Sequence, residues 1–306
     1  MPEAPALEPA ADPARARRAL WIGLGLLLLS ALVFSLHNTL ARLAFDEGVA
    51  PTTINAARTW AVLTLFVLVL GAKGEWPRVP RPAWLTFAIT AVCYSLHNPL
   101  LLIAFKFIPV SLAVLVMYVF PIIVAFLAAA LGQERLAKST LAAAAVAFAG
   151  VALVLEIGHV TLDWRGLALA LVTAFALAGN VAGAAQLNRY IKPLAVPFAL
   201  SILGAVVFGA IMLADGGPTL PVSTRGWLIF VAATLASPAA LIGFYVALPR
   251  VGAPRSSVVL NIEPVYTVLF AVWLLGETMS RLQAAGAVLI IGAIVAAAVA
   301  RLRARR

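Results

Sequence analysis

Apolar segments of about 20 residues, separated by short polar breaks, constrain this chain more than any other feature. A helical segment of that length crosses a hydrocarbon layer of roughly 30 Å. Only 11% of the 306 residues are charged and 63% are apolar. Soluble domains average about 25% charged and about 45–50% apolar residues. The chain therefore has too few charges to cover the surface of a soluble protein, and we predict a polytopic membrane protein.

Ten such segments can be distinguished along the chain. The bilayer core offers no water to the backbone, so these segments are expected to be helical. We therefore predict an all-α fold with ten transmembrane helices. Their predicted ranges are 20–43, 51–71, 83–105, 109–131, 139–156, 164–186, 193–213, 225–248, 252–275 and 282–300. The fifth and tenth of these helices are rich in Ala and Gly and nearly free of polar residues, which is typical of a packing scaffold.

Basic residues indicate which side of the membrane each loop faces. With the N terminus placed inside, most of the 22 Lys and Arg residues fall on inner loops and tails, and Arg58 lies within a span. Positive residues concentrate on the cytoplasmic side of membrane proteins. An odd number of spans would place the C-terminal arginine cluster outside. We therefore expect an even number of spans and both termini in the cytoplasm.

The second half of the chain repeats the first. A shift of 143 positions aligns Pro121 with Pro264 and Glu134 with Glu277. Each repeat holds five spans, and because five is odd the two repeats insert in opposite directions, as in many transporters. A duplicated bundle without a transport role is the alternative. The predicted division is a disordered cytoplasmic tail (1–18), a first repeat (19–157), a second repeat (158–300) and a basic cytoplasmic C terminus (301–306).

Two five-helix halves, each with a proline in its fourth helix and a GxE or GE turn before an Ala/Gly-rich fifth helix, resemble the EamA transporters. These belong to the drug/metabolite transporter superfamily, and the resemblance covers about residues 20–300. It implies ten transmembrane helices, an inner-membrane location and export of small metabolites. The repeated tetrapeptide SLHN and the aromatic spans further resemble the YddG-type exporters of aromatic amino acids.

Two ionisable residues lie deep in spans, where a charge costs at least about 2.5–3.5 kcal/mol on insertion scales. Arg58 either binds a substrate carboxylate or is a structural cation bonded to neighbouring carbonyls. Glu263 is either structural or takes part in transport, by carrying a coupling proton, binding a substrate amine or pairing with Arg58. We expect Pro121 and Pro264 to kink their helices and to act in gating.

The tetrapeptide SLHN occurs in the first span, at residues 35–38, and in the third, at 95–98. Both spans run in the same direction, so their His-Asn pairs are predicted at one depth, where they line a cavity or link helices by hydrogen bonds. For the aromatic and amide candidates, lipid exposure or helix packing is the alternative. The predicted substrate-binding residues are His37, Asn38, Arg58, Trp60, Tyr94, His97, Asn98, Tyr118, Asn180, Glu263 and Tyr266.

These features favour a secondary transporter that exports amino acids, above all aromatic or apolar ones, or similar small metabolites by alternating access. The chain has no GxxxxGK[ST] motif, so the driving force is a gradient. Export of drugs or other metabolites is the alternative. A non-transporting scaffold or a membrane-embedded enzyme is more remote, since no HExxH, paired-Asp or nucleophile-elbow pattern occurs. We expect a small-molecule substrate and the lipid bilayer as partners. We expect no enzyme activity and no cofactor, metal or nucleic acid. The sequence leaves the oligomeric state undetermined and is compatible with a monomer.

Overall fold

The computed structural model of the chain describes residues 13–74, 76–156, 163–275 and 278–304. Within these ranges the secondary structure is helical, with no strand. A single 3-10 turn (Arg81–Ala83) precedes α3. The α-helices are α1 (Pro13–Asp46), α2 (Pro51–Lys73), α3 (Trp84–Ala104), α4 (Val110–Met117), α5 (Phe120–Ala130), α6 (Lys138–Val154), α7 (Trp164–Leu187), α8 (Ala195–Ala214), α9 (Thr224–Val251), α10 (Ala253–Leu260), α11 (Glu263–Leu275) and α12 (Arg281–Ala304).

The helices account for all ten predicted spans. In the described ranges, nine stretches are long and apolar enough to cross a membrane, and α6, with 17 residues, is a shorter tenth. α4 and α5 together form one stretch, and α10 and α11 together form another. The prediction of an all-helical, polytopic fold is therefore confirmed.

Both ends of the described chain are more helical than predicted. α1 begins at Pro13, and proline suits the first turn of a helix because its missing N–H needs no partner there. The Ala and Arg residues that follow are strong helix formers. Residues 13–18, predicted to belong to a disordered tail, are therefore helical, whereas residues 1–12 lie outside the described ranges. α12 likewise continues past the predicted end at residue 300 to Ala304.

The principal helix contacts join one repeat to the other. α1 of the first repeat lies along α9 of the second, and α3 correspondingly lies along α7. α2 packs against α8 and α6 against α12, each against its own counterpart. A two-fold exchange of the repeats maps each of these contacts onto another or onto itself. The core is thus formed between the two repeated units, and each depends on the other for its burial.

Glycines bring the backbones of α6 and α12 together, as expected for the fifth and tenth spans. A Cβ atom placed on Gly286 would lie 2.5 Å from the carbonyl oxygen of Gly150. A Cβ atom on Gly150 would lie 2.8 Å from the carbonyl oxygen of Gly286. Small residues are the usual means of close helix approach in membranes. This contact joins α6 and α12, the last helices of the two repeats, to each other.

We expect Gly286→Leu to separate α6 from α12 and to lower the apparent melting temperature of the purified protein by about 5 °C or more. Gly292→Leu, on the same helix, is the matched control, because a Cβ atom at Gly292 has nothing within 4 Å. Thermal unfolding followed by size-exclusion chromatography compares the two variants. An equal decrease of the melting temperature in both variants would show that the Gly150–Gly286 contact is not especially important for stability.

Candidate functional site

Two interrupted helices border the candidate site. α4 ends at Met117 before α5 begins at Phe120, and α10 ends at Leu260 before α11 begins at Glu263. In each pair the second residue of the new helix is a proline. Its missing N–H removes the hydrogen bond that a continuous helix would make at that point. The predicted spans are therefore broken just before Pro121 and Pro264, at equivalent places in the two repeats, while a role of these prolines in gating stays a prediction.

A central cavity of about 290 Å³ lies at these breaks and is lined by residues of both repeats. Ionisable, amide and hydroxyl side chains share its wall with apolar ones. Its polar and ionisable lining residues are His37, Asn38, Arg58, Tyr94, His97, Asn98, Tyr118, Asn180, Tyr245 and Glu263. Its apolar lining residues are Phe34, Leu101, Met117, Phe120, Leu177, Val181, Leu241, Phe244 and Leu260.

The central cavity brings together all the predicted site residues except Trp60 and Tyr266. The indole N–H of Trp60 donates to the carbonyl oxygen of Ala205 in α8 at 3.2 Å, and 44% of the side chain is exposed on the outside of the bundle. Tyr266 is partly buried against the apolar core instead. Trp60 therefore packs α2 against α8. Substrate binding by the residues that do line the cavity stays a prediction.

Arg58 has no counter-ion among the described residues. Its Nε is buried and has no hydrogen-bond partner in that part of the chain. The guanidinium carbon lies 5.9 Å from the ring centroid of Phe208 in α8. Glu263 lines the same cavity, yet no ion pair within the described residues joins it to Arg58. A guanidinium removed from water is stable only with compensating partners, so this cavity is suited to an anionic group of a ligand.

The first SLHN tetrapeptide positions the carboxylate of Glu263. Nδ2 of Asn38 donates a hydrogen bond of 2.8 Å to Oε1 of Glu263. The hydroxyl of Ser35 donates one of 2.8 Å to the backbone carbonyl oxygen of the same residue. One residue of α1 thus fixes the backbone where α11 begins, and another fixes the side chain. The carboxylate consequently faces the cavity in a defined orientation.

The two His-Asn pairs line the cavity but have different partners. Nδ1 of His37 lies 2.8 Å from the carbonyl oxygen of Ala233 in α9, so it carries the proton and leaves Nε2 as an acceptor. Nδ1 of His97 lies 3.3 Å from a carbonyl oxygen one turn earlier in its own helix. Nδ2 of Asn98 donates to Oδ1 of Asn55 in α2 at 3.2 Å. His37, Asn38 and Asn98 therefore line the cavity and also form interhelical hydrogen bonds, whereas the contact of His97 lies within its own helix.

Asn180 lies where close helix packing meets the cavity wall. A Cβ atom on the preceding Gly179 would lie 2.8 Å from the sulfur of Cys93, so α7 and α3 are in tight contact there. The hydroxyl of Tyr245 donates to Oδ1 of Asn180 across 3.5 Å, and Tyr245 is only 1% exposed. Asn180 thus lies both at a close helix contact and in the cavity wall, and its part in substrate binding stays a prediction.

Tyr245 and the apolar lining residues were not predicted from the sequence. The sequence does not show whether an apolar side chain in a membrane span faces a cavity or lipid. Tyr245 could have been predicted, because a tyrosine buried within a span usually finds a partner for its hydroxyl. Phe120 is the counterpart of Glu263 in the first repeat. Its place in the cavity wall follows from the helix break beside it.

Contacts between the repeats also hold one end of the bundle together. Glu134, in the turn after α5, forms an ion pair of 3.1 Å with Arg255 in α10. Nε2 of Gln133 donates to the carbonyl oxygen of Ala182 in α7 at 2.8 Å. This end is the one that the bias of basic residues predicts to be cytoplasmic. Glu277, the counterpart of Glu134, lies outside the described residues.

The chain matches a known transporter family twice. The model of the EamA-like transporter family matches residues 21–156 and 164–299, two ranges that begin 143 residues apart. An uncharacterized transporter from Archaeoglobus fulgidus is 28% identical over 254 residues, which cover 79% of this chain and 86% of that protein. A protein of known crystal structure has a TM-score of 0.75 and 23% identity over 94% of this chain and 99% of its own, which supports the fold.

Proposed function

Because the chain belongs to the EamA-like transporter family of the drug/metabolite transporter superfamily, we propose that it exports aromatic or apolar amino acids across the inner membrane by alternating access. The observation that carries this proposal is the guanidinium of Arg58, whose buried Nε has no partner among the described residues, in a cavity that also holds the carboxylate of Glu263. An amino acid presents a carboxylate to the first and an ammonium to the second. A charge-assisted bond forms with each.

The size and lining of the central cavity favour a small amphipathic substrate. Its volume of about 290 Å³ is at the lower end of ligand cavities, which span roughly 300–1,000 Å³. Phe34, Phe120 and Phe244 supply aromatic surface from three different helices. The comparisons do not support the narrower resemblance to the YddG-type exporters, so the substrate class rests on this lining. The same volume argues against the alternative of a drug exporter.

Alternating access requires structural elements that can change between two conformations. The protein has two kinds of such elements, the broken helices and an ion pair between the repeats. The helix breaks before Pro121 and Pro264 let half-helices tilt without losing further backbone hydrogen bonds. The ion pair Glu134–Arg255 joins the repeats at one end of the bundle and must separate for the repeats to move apart there. Rocking of one inverted repeat against the other accomplishes both changes. In the proposed orientation the end with this ion pair and both termini face the cytoplasm.

Purified protein in liposomes preloaded with unlabelled phenylalanine should exchange it for external labelled phenylalanine, because exchange requires no assumption about the driving force. Protein-free liposomes are the control, and competition by the other amino acids and by a bulky drug cation such as ethidium defines the substrate class. Absence of exchange for every amino acid would refute the proposal. Transport of ethidium without competition by amino acids would favour drug export instead.

A further inference from the structure

A second cavity, of about 480 Å³, lies away from the central one. We call it the basic cavity. It is bordered by the end of α2 and residues 76–78 of the first repeat, and by residues 190–195 and the last turns of α9 in the second. α2 and α9 finish at this end and α8 begins there. It is the end that the bias of basic residues predicts to be cytoplasmic, so the basic cavity lies at the inner membrane surface.

The mouth of the basic cavity is cationic. Arg78, Lys192 and Arg250 contribute to its lining and are exposed. No acidic residue belongs to the part of the lining that the structure describes. The three cations come from three separate segments of the chain, and the fold brings them round one opening. A single anionic group can therefore be contacted from several directions.

The rest of the lining is apolar and aromatic. Trp76 is 53% exposed and its ring packs against Phe198, with 5.8 Å between centroids. Tyr190, which is 44% exposed, also lines the cavity. Such amphipathic aromatic side chains are typical of the membrane–water interface. Leu70 of α2 and Val246 of α9 continue the wall from the cationic mouth along the two helices.

We propose that the basic cavity binds an anionic phospholipid, with Arg78, Lys192 and Arg250 around the headgroup phosphate and an acyl chain along α2 and α9. Basic pockets between transmembrane helices at the cytoplasmic surface are suited to such headgroups. A free phosphate ion would use the cations alone and would leave the apolar wall unoccupied. The lipid bridges the two repeats, because the first contributes Arg78 and the second contributes Lys192 and Arg250. This inference is independent of the transported substrate.

The binding of phosphatidylglycerol to the purified full-length protein in a nonionic detergent tests the proposal, with phosphatidylcholine of the same acyl chains as reference. Titration with fluorescent lipid analogues is expected to show clear preference for phosphatidylglycerol. The double variant Arg78→Ala/Arg250→Ala should bind it about thirtyfold more weakly. Arg135→Ala/Lys138→Ala is the matched control, since it removes two exposed cations of the same predicted side outside the cavity, and its affinity should equal that of the wild type.

Equal affinity for both lipids, or equal weakening in both double variants, would overturn the proposal. The proposal would also be overturned if inorganic phosphate displaced the lipid fully while chloride at the same ionic strength did not. That result would identify a site for a free anion. A measurement on the wild type covers the case in which the alanine variant does not fold. A phosphatidylglycerol analogue with a photoreactive headgroup should label the peptides that contain Trp76 and Tyr190. Labelling confined to other peptides would overturn the assignment.

Discussion

Replacing Arg58 by glutamine should raise the half-saturating concentration of phenylalanine roughly tenfold to hundredfold, because a hydrogen bond to a charged partner contributes about 1.5–3 kcal/mol. The guanidinium has no competing partner for its buried Nε, so the loss of the substrate carboxylate contact is not compensated from within the described protein. Exchange of labelled phenylalanine in liposomes measures the effect. Arg58→Lys keeps the charge without the planar guanidinium, and its half-saturating concentration should fall between those of the wild type and Arg58→Gln.

Two truncated analogues separate a binding role of Arg58 from a structural one. Phenethylamine lacks the carboxylate of phenylalanine, and hydrocinnamate lacks the amine. In the wild type, phenylalanine should compete better than either analogue. In Arg58→Gln its advantage over phenethylamine should disappear, while its advantage over hydrocinnamate should remain. Because each comparison is a ratio within one variant, it does not depend on how much folded protein is present.

Trp60→Phe is the matched control for Arg58→Gln. Trp60 lies two residues further along α2 but outside the central cavity, where its indole donates to Ala205. Its replacement should lower stability without changing the competition ratios. If Arg58→Gln also left the ratios unchanged, Arg58 would be a structural cation, and the central observation behind the proposed function would be lost.

The contrast between Arg58 and Trp60 shows which features can be predicted from sequence. Both were candidates because polar or aromatic residues within a span are conspicuous. Residues two positions apart on a helix point in directions about 200° different, so they cannot share one wall. Span length, hydropathy and the effect of proline on a helix are local properties. The helices, the repeat and the breaks before Pro121 and Pro264 were therefore predictable.

The two SLHN tetrapeptides show what local sequence does not determine. Asn38 bonds to Glu263, whereas Asn98 bonds to Asn55, although both residues end the same tetrapeptide. Glu263 begins α11 in the second repeat, whereas Asn55 lies on α2, the helix that precedes α3 in the first repeat. Identical segments thus acquire different roles from their tertiary neighbours. For the same reason the apolar half of the cavity wall became visible only in the structure.

Glu263→Gln should make transport insensitive to a pH gradient while leaving phenylalanine exchange measurable. If export is driven by protons moving in the opposite direction, an acidic liposome lumen accelerates uptake of external labelled phenylalanine by the wild type. A carboxyl group takes up and releases a proton at each half of the cycle, and an amide cannot. Glutamine retains an oxygen that accepts the hydrogen bond from Asn38. Uptake with acidic and neutral lumen, compared with exchange at equal pH on both sides, measures the two activities separately.

Asp215→Asn is the control for this substitution, because it makes the same chemical change at an exposed carboxylate that accepts a bond from Thr52. It should respond to the gradient as the wild type does. A full response in Glu263→Gln would remove Glu263 from coupling and leave it as the acceptor that ties α11 to α1 through Asn38. No response in the wild type would mean that the substrate moves down its own gradient. In that case binding of the substrate ammonium is the only transport role of Glu263, and the substitution should abolish the advantage of phenylalanine over hydrocinnamate.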